Sequence, residues 1–295
     1  MRALVTGGAG FIGSNLVDRL LAEGHSVDVV DDLSTGSLAN LGDARRDPAH
    51  DFTFHRLDVR SDALLDVLPR RRPEVVFHLA GSEDAARPVV DADLNVLGSV
   101  NVLEAARAAG ARKVVFASSV GALEPATAHD VAKRAVGEYL AVYRAQFDME
   151  FTVLVLGSVY GPRQAAAGPA GVVVSFAERL LRGESCTVHG SGADAADYVY
   201  VDDAVDAFAR AAERGGGLSL QIGTGVLTTV EELHDTMAGA LGLDLALAEA
   251  DAGADADGPV VGPALDPARA AIHLGWKPWT TVPEGTLALL RHLAG

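Results

Sequence analysis

Residues 4–14, LVTGGAGFIGS, restrict the possible folds more than any other part of the chain. Leu4 and Val5 read as a buried strand, glycines follow at positions 7, 10 and 13, and residues 15–23 carry apolar side chains at helical spacing before Gly24 ends the helix. A strand that passes through spaced glycines into a helix is built to hold a dinucleotide. Gly7 permits the tight reversal, Gly10 leaves the backbone bare for a pyrophosphate, and Gly13 lets the helix lie close on the strand. The helix N-terminus adds unpaired amides and the positive end of its dipole. A second strand, residues 26–30, ends at Asp31, about twenty residues beyond the glycines, where a carboxylate accepts hydrogen bonds from an adenosine ribose. Together these features predict a nicotinamide cofactor.

Strands and helices then alternate. Strands are expected at 52–57, 75–79, 114–118 and 151–156, with helices at 94–109 and 130–147. Asp58 and Val59 follow the third strand, placed to edge an adenine, and the continuous apolar run at 75–79 suits a sheet covered on both faces. Such alternation predicts an α/β fold, a Rossmann-type doubly wound parallel sheet with its ligands beyond the carboxyl ends of the strands. After Gly157 the texture changes to the small-residue stretch QAAAGPAG at 164–171, helices at 172–181 and 201–214, strands at 186–189 and 218–222, and an acidic loop at 251–258. The expected organisation is a dinucleotide-binding core over 1–160. Residues 161–295 form mostly a small C-terminal substrate lobe interleaved with the last core strand, the whole a single compact unit.

Composition excludes several classes. A formal charge of −16 argues against a nucleic-acid surface, which needs clustered Lys and Arg. The lone Cys186 forms no internal disulfide, Met1 stands directly before the first strand, and no apolar run reaches membrane-spanning length. A cytoplasmic protein away from membranes is expected. No cluster has metal-ligand spacing, so no metal is expected.

The ordered motifs TGGAGFIG at 6–13, DDLSTG at 31–36, FHLAG at 77–81, NVLGSVNVLEAAR at 95–107, FASS at 116–119, VYGPRQ at 159–164, DYVYVDD at 197–203, IGTG at 222–225 and LGWKP at 274–278 span nearly the whole chain. They resemble those of the extended short-chain dehydrogenase/reductase family, in its branch of nucleotide-sugar epimerases and dehydratases. The resemblance implies cofactor contacts at Gly7, Gly10, Phe11, Ile12, Gly13, Asp31, Asp32, Ser34, Asp58, Val59, Leu79, Ala80, Gly81 and Lys133. It also implies a serine, a tyrosine and a lysine that act together, supported by an asparagine. Ser119, Lys133 and Asn95 match three of these. The tyrosine is missing: His129 stands four residues before Lys133, and no tyrosine precedes a lysine at that spacing. With an unperturbed pKa of about 6.5 the imidazole suits proton transfer at neutral pH. The alternatives are a solvated His129 at a helix start, with the proton coming from the substrate or from water.

The substrate side departs from the family as well. The arginine expected before Asp197-Tyr198 is Ala196, none stands in the run ahead of Asp266, and the asparagine expected before VYGP is Ser158. A diphosphate calls for paired cations. The favoured expectation is therefore an NAD(P)H-dependent ketoreductase acting on an apolar ketone, of the kind met in aromatic polyketide or angucyclinone antibiotic intermediates. Asp31 favours NADH by repelling a 2′-phosphate, with NADPH left open because Ser34 and Thr35 offer acceptor sites for one. Two other readings stand beside it: a nucleotide-sugar 4-epimerase or dehydratase with an altered active site, and an NAD(P)-binding protein without catalysis.

Overall fold

A computed structural model describes residues 1–82, 87–166, 171–189, 192–250 and 262–295. The acidic loop at 251–258 and residues 167–170 of the small-residue stretch lie outside the described residues. The first half runs β1 (Arg2–Thr6), α1 (Phe11–Ala22), β2 (Ser26–Asp31), α2 (Gly42–Arg46), β3 (Phe52–Arg56), α3 (Leu64–Arg71), β4 (Val75–His78), α4 (Pro88–Ala92), α5 (Gly98–Ala109), β5 (Lys113–Ser119), α6 (Ala128–Phe147) and β6 (Glu150–Leu156). The second half continues with β7 (Ser158–Tyr160), α7 (Val172–Leu181), β8 (Thr187–His189), β9 (Ala195–Ala196), β10 (Tyr198–Tyr200), α8 (Val201–Ala211), β11 (Leu218–Ile222), β12 (Thr228–Thr229), α9 (Val230–Leu241), β13 (Ala248–Ala250), α10 (Ala268–Leu274) and α11 (Val282–Ala294). No helix among the described residues is long and apolar enough to cross a membrane.

Seven strands form one sheet in the order β11-β6-β5-β4-β1-β2-β3, and neighbours from β6 across to β3 run parallel. This is the expected Rossmann-type sheet, with the strand order reversing between β1 and β4, where a crevice opens at the carboxyl ends. The strands are apolar along both faces because helices cover both. Leu4, Val76, Val114 and Phe116 belong to one buried cluster with Val102, Leu103, Val136 and Leu140 of α5 and α6. On α1, Leu16, Val17, Leu20 and Leu21 form the buried stripe that the helical spacing predicts.

The expected helix at 94–109 starts earlier. Pro88 opens α4, and the π-helical segment Asp93–Leu97 joins it to α5. Pro fits a first turn because its missing N–H has no helical partner there. The π segment inserts an extra residue into the ladder and carries Asn95.

The chain divides into two compact units. One comprises residues 1–156, 205–221 and 269–276; the other comprises 157–204, 222–268 and 277–295. In the second, β7 and β10 pair in parallel, β9 and β12 antiparallel, and α7, α9 and α11 pack together. Asp197 organises its loops: the carboxylate accepts the amides of Thr224, Gly225 and Leu265 at 2.7, 3.0 and 3.0 Å. Ala196 is buried in β9 opposite Thr228.

Candidate active site

The glycine turn has the tight geometry its sequence implies. Gly7 sits at φ +69°, and a Cβ there would stand 2.7 Å from the Ala80 amide nitrogen. A Cβ on Gly13 would stand 2.1 Å from the Gly7 carbonyl oxygen, so α1 starts in direct contact with the turn. Gly10 is different: a Cβ there meets only the Gly7 oxygen, at 3.2 Å, and no side chain caps α1. Bare backbone and uncapped amides leave this helix end ready for a pyrophosphate.

Beside the turn lies a groove with about 380 Å³ of space open to solvent. Gly7, Asp31, Asp32, Ser34, Asp58 and Val59 line it, together with Ala80 and Gly81. Of the other expected cofactor residues, Gly10 caps α1, Phe11, Ile12 and Gly13 form its first turn, Leu79 follows β4, and Lys133 lies on α6. Thr35, Leu57 and Leu94 also line the groove. Asp31 has a second task. Its carboxylate accepts the Ala9 amide at 2.9 Å and the Leu33 amide at 2.8 Å, pinning the glycine turn to the end of β2. Burial raises its pKa while these two amides oppose the rise. Arg60 forks onto Asp58 and reaches Asp93 at 2.9 Å, which ties the Asp58 side of the groove to the π segment. Its guanidinium holds the Asp58 carboxyl below its ordinary value.

Asn95, His129 and Lys133 come together near Gly81, one of the residues that line the groove. A Cβ on Gly81 would lie 2.8 Å from Asn95 Oδ1 and 3.2 Å from Lys133 Nζ, so this glycine is the gap into which both polar groups fit. Lys133 is buried, donates to the Ala117 carbonyl at 3.1 Å and lies 5.0 Å from the centre of the Phe116 ring. His129 stands in the first turn of α6, which begins with a capping box: Thr127 Oγ1 accepts the Asp130 amide, and the Asp130 carboxylate accepts the Thr127 amide. Its side chain is buried, against the alternative of a solvated residue at a helix start. Its Nδ1 lies 3.4 Å from Asp91 Oδ1.

Asp91, which sequence reasoning missed, is 1% exposed. Asn95 Nδ2 donates to its Oδ1 at 2.6 Å and to the Ser82 carbonyl at 2.7 Å, and Asn95 Oδ1 accepts the Ser82 amide at 3.0 Å. An acid and an amide four residues apart in the apolar run PVVDADLNV were the available signal.

Ser119 ends β5 just before a 3₁₀ turn at Val120–Ala122, and its hydroxyl is buried with no partner among the described residues. The short connection to α6 is held where Gly121 packs against the Asp130 carboxylate. His78, expected only as packing, belongs to a hydrogen-bond chain. Ser99 donates to the Asn95 carbonyl and so accepts from His78 Nε2 at 2.8 Å, while Thr6 Oγ1 lies 2.7 Å from Nδ1. This chain links β1 and β4 to the backbone of the π segment. Burial, and then the Lys133 charge, lower its pKa to about 3, so the ring stays neutral.

Comparison with known proteins places these elements. The sequence profile of the NAD dependent epimerase/dehydratase family matches residues 3–223. UDP-glucose 4-epimerase of Mycolicibacterium smegmatis is 43% identical over 305 aligned positions, covering 97% of this chain and 96% of that protein. A putative UDP-glucose 4-epimerase of Methanocaldococcus jannaschii is 34% identical, covering 96% and 95%. The crystal structure of the Thermotoga maritima UDP-glucose 4-epimerase with UDP-glucose superposes with a TM-score of 0.92 at 35% identity, covering 100% and 99%.

These likenesses overturn the expectation of an apolar-ketone reductase of antibiotic biosynthesis. That expectation rested on two absent arginines, at Ala196 and in the run ahead of Asp266, together with Ser158 in place of an asparagine. Ala196 is a buried strand residue, and part of the run ahead of Asp266 lies outside the described residues. An anion can also be held by backbone amides and helix ends, so missing arginines do not by themselves define a substrate.

Proposed function

Because the chain belongs to the NAD dependent epimerase/dehydratase family, we propose that it interconverts the C4 epimers of a nucleoside-diphosphate hexose, with UDP-glucose and UDP-galactose as the first pair to test. The observation that carries the reading is 43% identity to a UDP-glucose 4-epimerase along nearly the full length of both chains. The aligned region takes in the second half of the chain as well as the dinucleotide turn.

The residues of the groove fit NAD. The bare Gly10 backbone and the start of α1 hold the pyrophosphate, Asp31 the adenosine ribose, and Asp58 and Val59 edge the adenine. Bound NAD supplies reversible hydride transfer at the sugar's C4. The protein must then manage the proton on O4. In this proposal His129 accepts that proton and returns it, Ser119 holds the oxygen through its unpartnered hydroxyl, and Lys133 binds the nicotinamide ribose and keeps a positive charge beside the site. Epimerisation is redox-neutral, so the enzyme ends each cycle as it began.

The test is to incubate the NAD-loaded protein with UDP-galactose and follow the C4 proton by NMR. Appearance of UDP-glucose, with His129→Phe slower by about 10²–10⁴-fold, supports the reading. No conversion by the loaded wild-type protein overturns it.

A further inference from the structure

The buried carboxylate of Asp91 has no role in the reaction as drawn so far. Its Oδ1 accepts from Asn95, and its Oδ2 is buried with no hydrogen-bond partner among the described residues. A desolvated carboxylate in this state is costly unless a positive group or a further donor faces it. The group that faces it is the imidazole of His129.

The donor inventory decides which atom of that ring faces it. Asn95 Nδ2 has two hydrogens, and they go to the Ser82 carbonyl and to Asp91 Oδ1. The 3.4 Å approach of Asn95 Nδ2 to His129 Nδ1 is therefore a contact without a third hydrogen to share. The acceptor left for Nδ1 is Asp91 Oδ1, also at 3.4 Å. A proton on Nδ1 gives Asp91 Oδ1 a second donor beside Asn95, and it leaves the lone pair on Nε2, which makes no hydrogen bond to a described residue. The ring also stands at the positive end of the α6 dipole, which disfavours imidazolium. A fixed negative charge on the far side of the ring offsets that.

We propose that Asp91 is a positioning residue: it holds His129 in the tautomer with Nδ1 protonated, aims Nε2 at the substrate oxygen, and stabilises the imidazolium formed when Nε2 takes the O4 proton. The assignment rests on His129 being the base of the proposed epimerase. No atom is lost or gained on Asp91; the proton moves from the sugar O4 to Nε2 and back, and Nδ1 keeps its own. Asp91 stands in for part of what a phenol near a lysine needs no help to do, because an imidazole, unlike a phenol, has a second nitrogen whose protonation must be settled.

Three charged groups on the neighbouring elements have partners of their own. Lys133 lies one turn along α6 and donates to Ala117; Asp130 is engaged with Thr127; Asp93 of the π segment pairs with Arg60.

The experiment uses the full chain loaded with NAD and labelled with ¹⁵N-histidine. In the wild type, His129 is expected as the Nδ1-protonated tautomer. In Asp91→Asn, which keeps the shape and removes the charge, the preference for that tautomer is expected to weaken, the Nε2-protonated form rising to a comparable share. A drop in kcat of about tenfold or more with KM unchanged, and partial return in Asp91→Glu, complete the expectation. An Nε2-protonated wild-type ring overturns the proposal without any variant. So does an Asp91→Asn protein whose His129 tautomer and kcat match wild type. Failure of the underlying reading looks different: His129→Phe then turns over at the wild-type rate, or the wild type does not convert UDP-galactose at all.

Discussion

Ser119 separates stability from chemistry at the scale of a single side chain. Its hydroxyl is buried and makes no hydrogen bond among the described residues, so the fold pays a small desolvation cost for keeping it. Ser119→Ala is expected to leave the melting temperature unchanged or slightly raised while lowering kcat about tenfold or more; a differential scanning trace beside an NMR turnover assay checks both. His78 gives a pH prediction. Its folded pKa of about 3 lies below the ordinary histidine value, so the unfolded chain binds a proton that the folded chain refuses. Its contribution is present in full above about pH 6.5 and is lost as pH falls toward 3, with a slope approaching 1.4 kcal/mol per pH unit. Urea titrations across that window should show a shallower acid decline in His78→Gln than in wild type. Ser119 and Asn95 were legible in the sequence because they stand on the FASS and NVLGSVNVLEAAR motifs, and Lys133 because the family resemblance implies a lysine on the following helix. Asp91 was not, because its importance comes from a histidine placed thirty-eight residues later by the packing of α4 on α6.

Among the elements, the glycine turn with α1 carries the cofactor reading. A Gly13→Ala methyl would stand 2.1 Å from the Gly7 carbonyl oxygen, so helix and strand must separate. Overpacking of this kind costs about 1–3 kcal/mol, and the displaced amides no longer meet the pyrophosphate. The expected outcome is a lower melting temperature together with loss of the thermal shift on adding NAD. A stable Gly13→Ala protein that still gains the wild-type shift would contradict that account. Strands β2 to β6 lie within a residue of where apolar runs and glycine stops placed them, since those signals are local, while β1 starts two residues before Leu4. The π segment was invisible for the opposite reason: an extra residue in a helix leaves no mark in the period of so short a stretch.

At the level of the whole molecule, fold and cofactor class followed from ordered motifs, whereas substrate class did not. A diphosphate can be recognised by amides, helix ends and side chains together, and the fate of one position such as the buried Ala196 is a poor guide to that sum. The account therefore predicts that UDP-glucose, added to the NAD-loaded protein, raises the melting temperature, and that an angucyclinone ketone does not. The central claim, reversible hydride transfer at C4 of a bound nucleotide sugar, is tested most directly with UDP-galactose carrying deuterium at C4. The account predicts UDP-glucose that retains the deuterium at C4, because the hydride removed is the one returned. Recovery of unchanged UDP-galactose, or UDP-glucose with protium from solvent at that carbon, would contradict it.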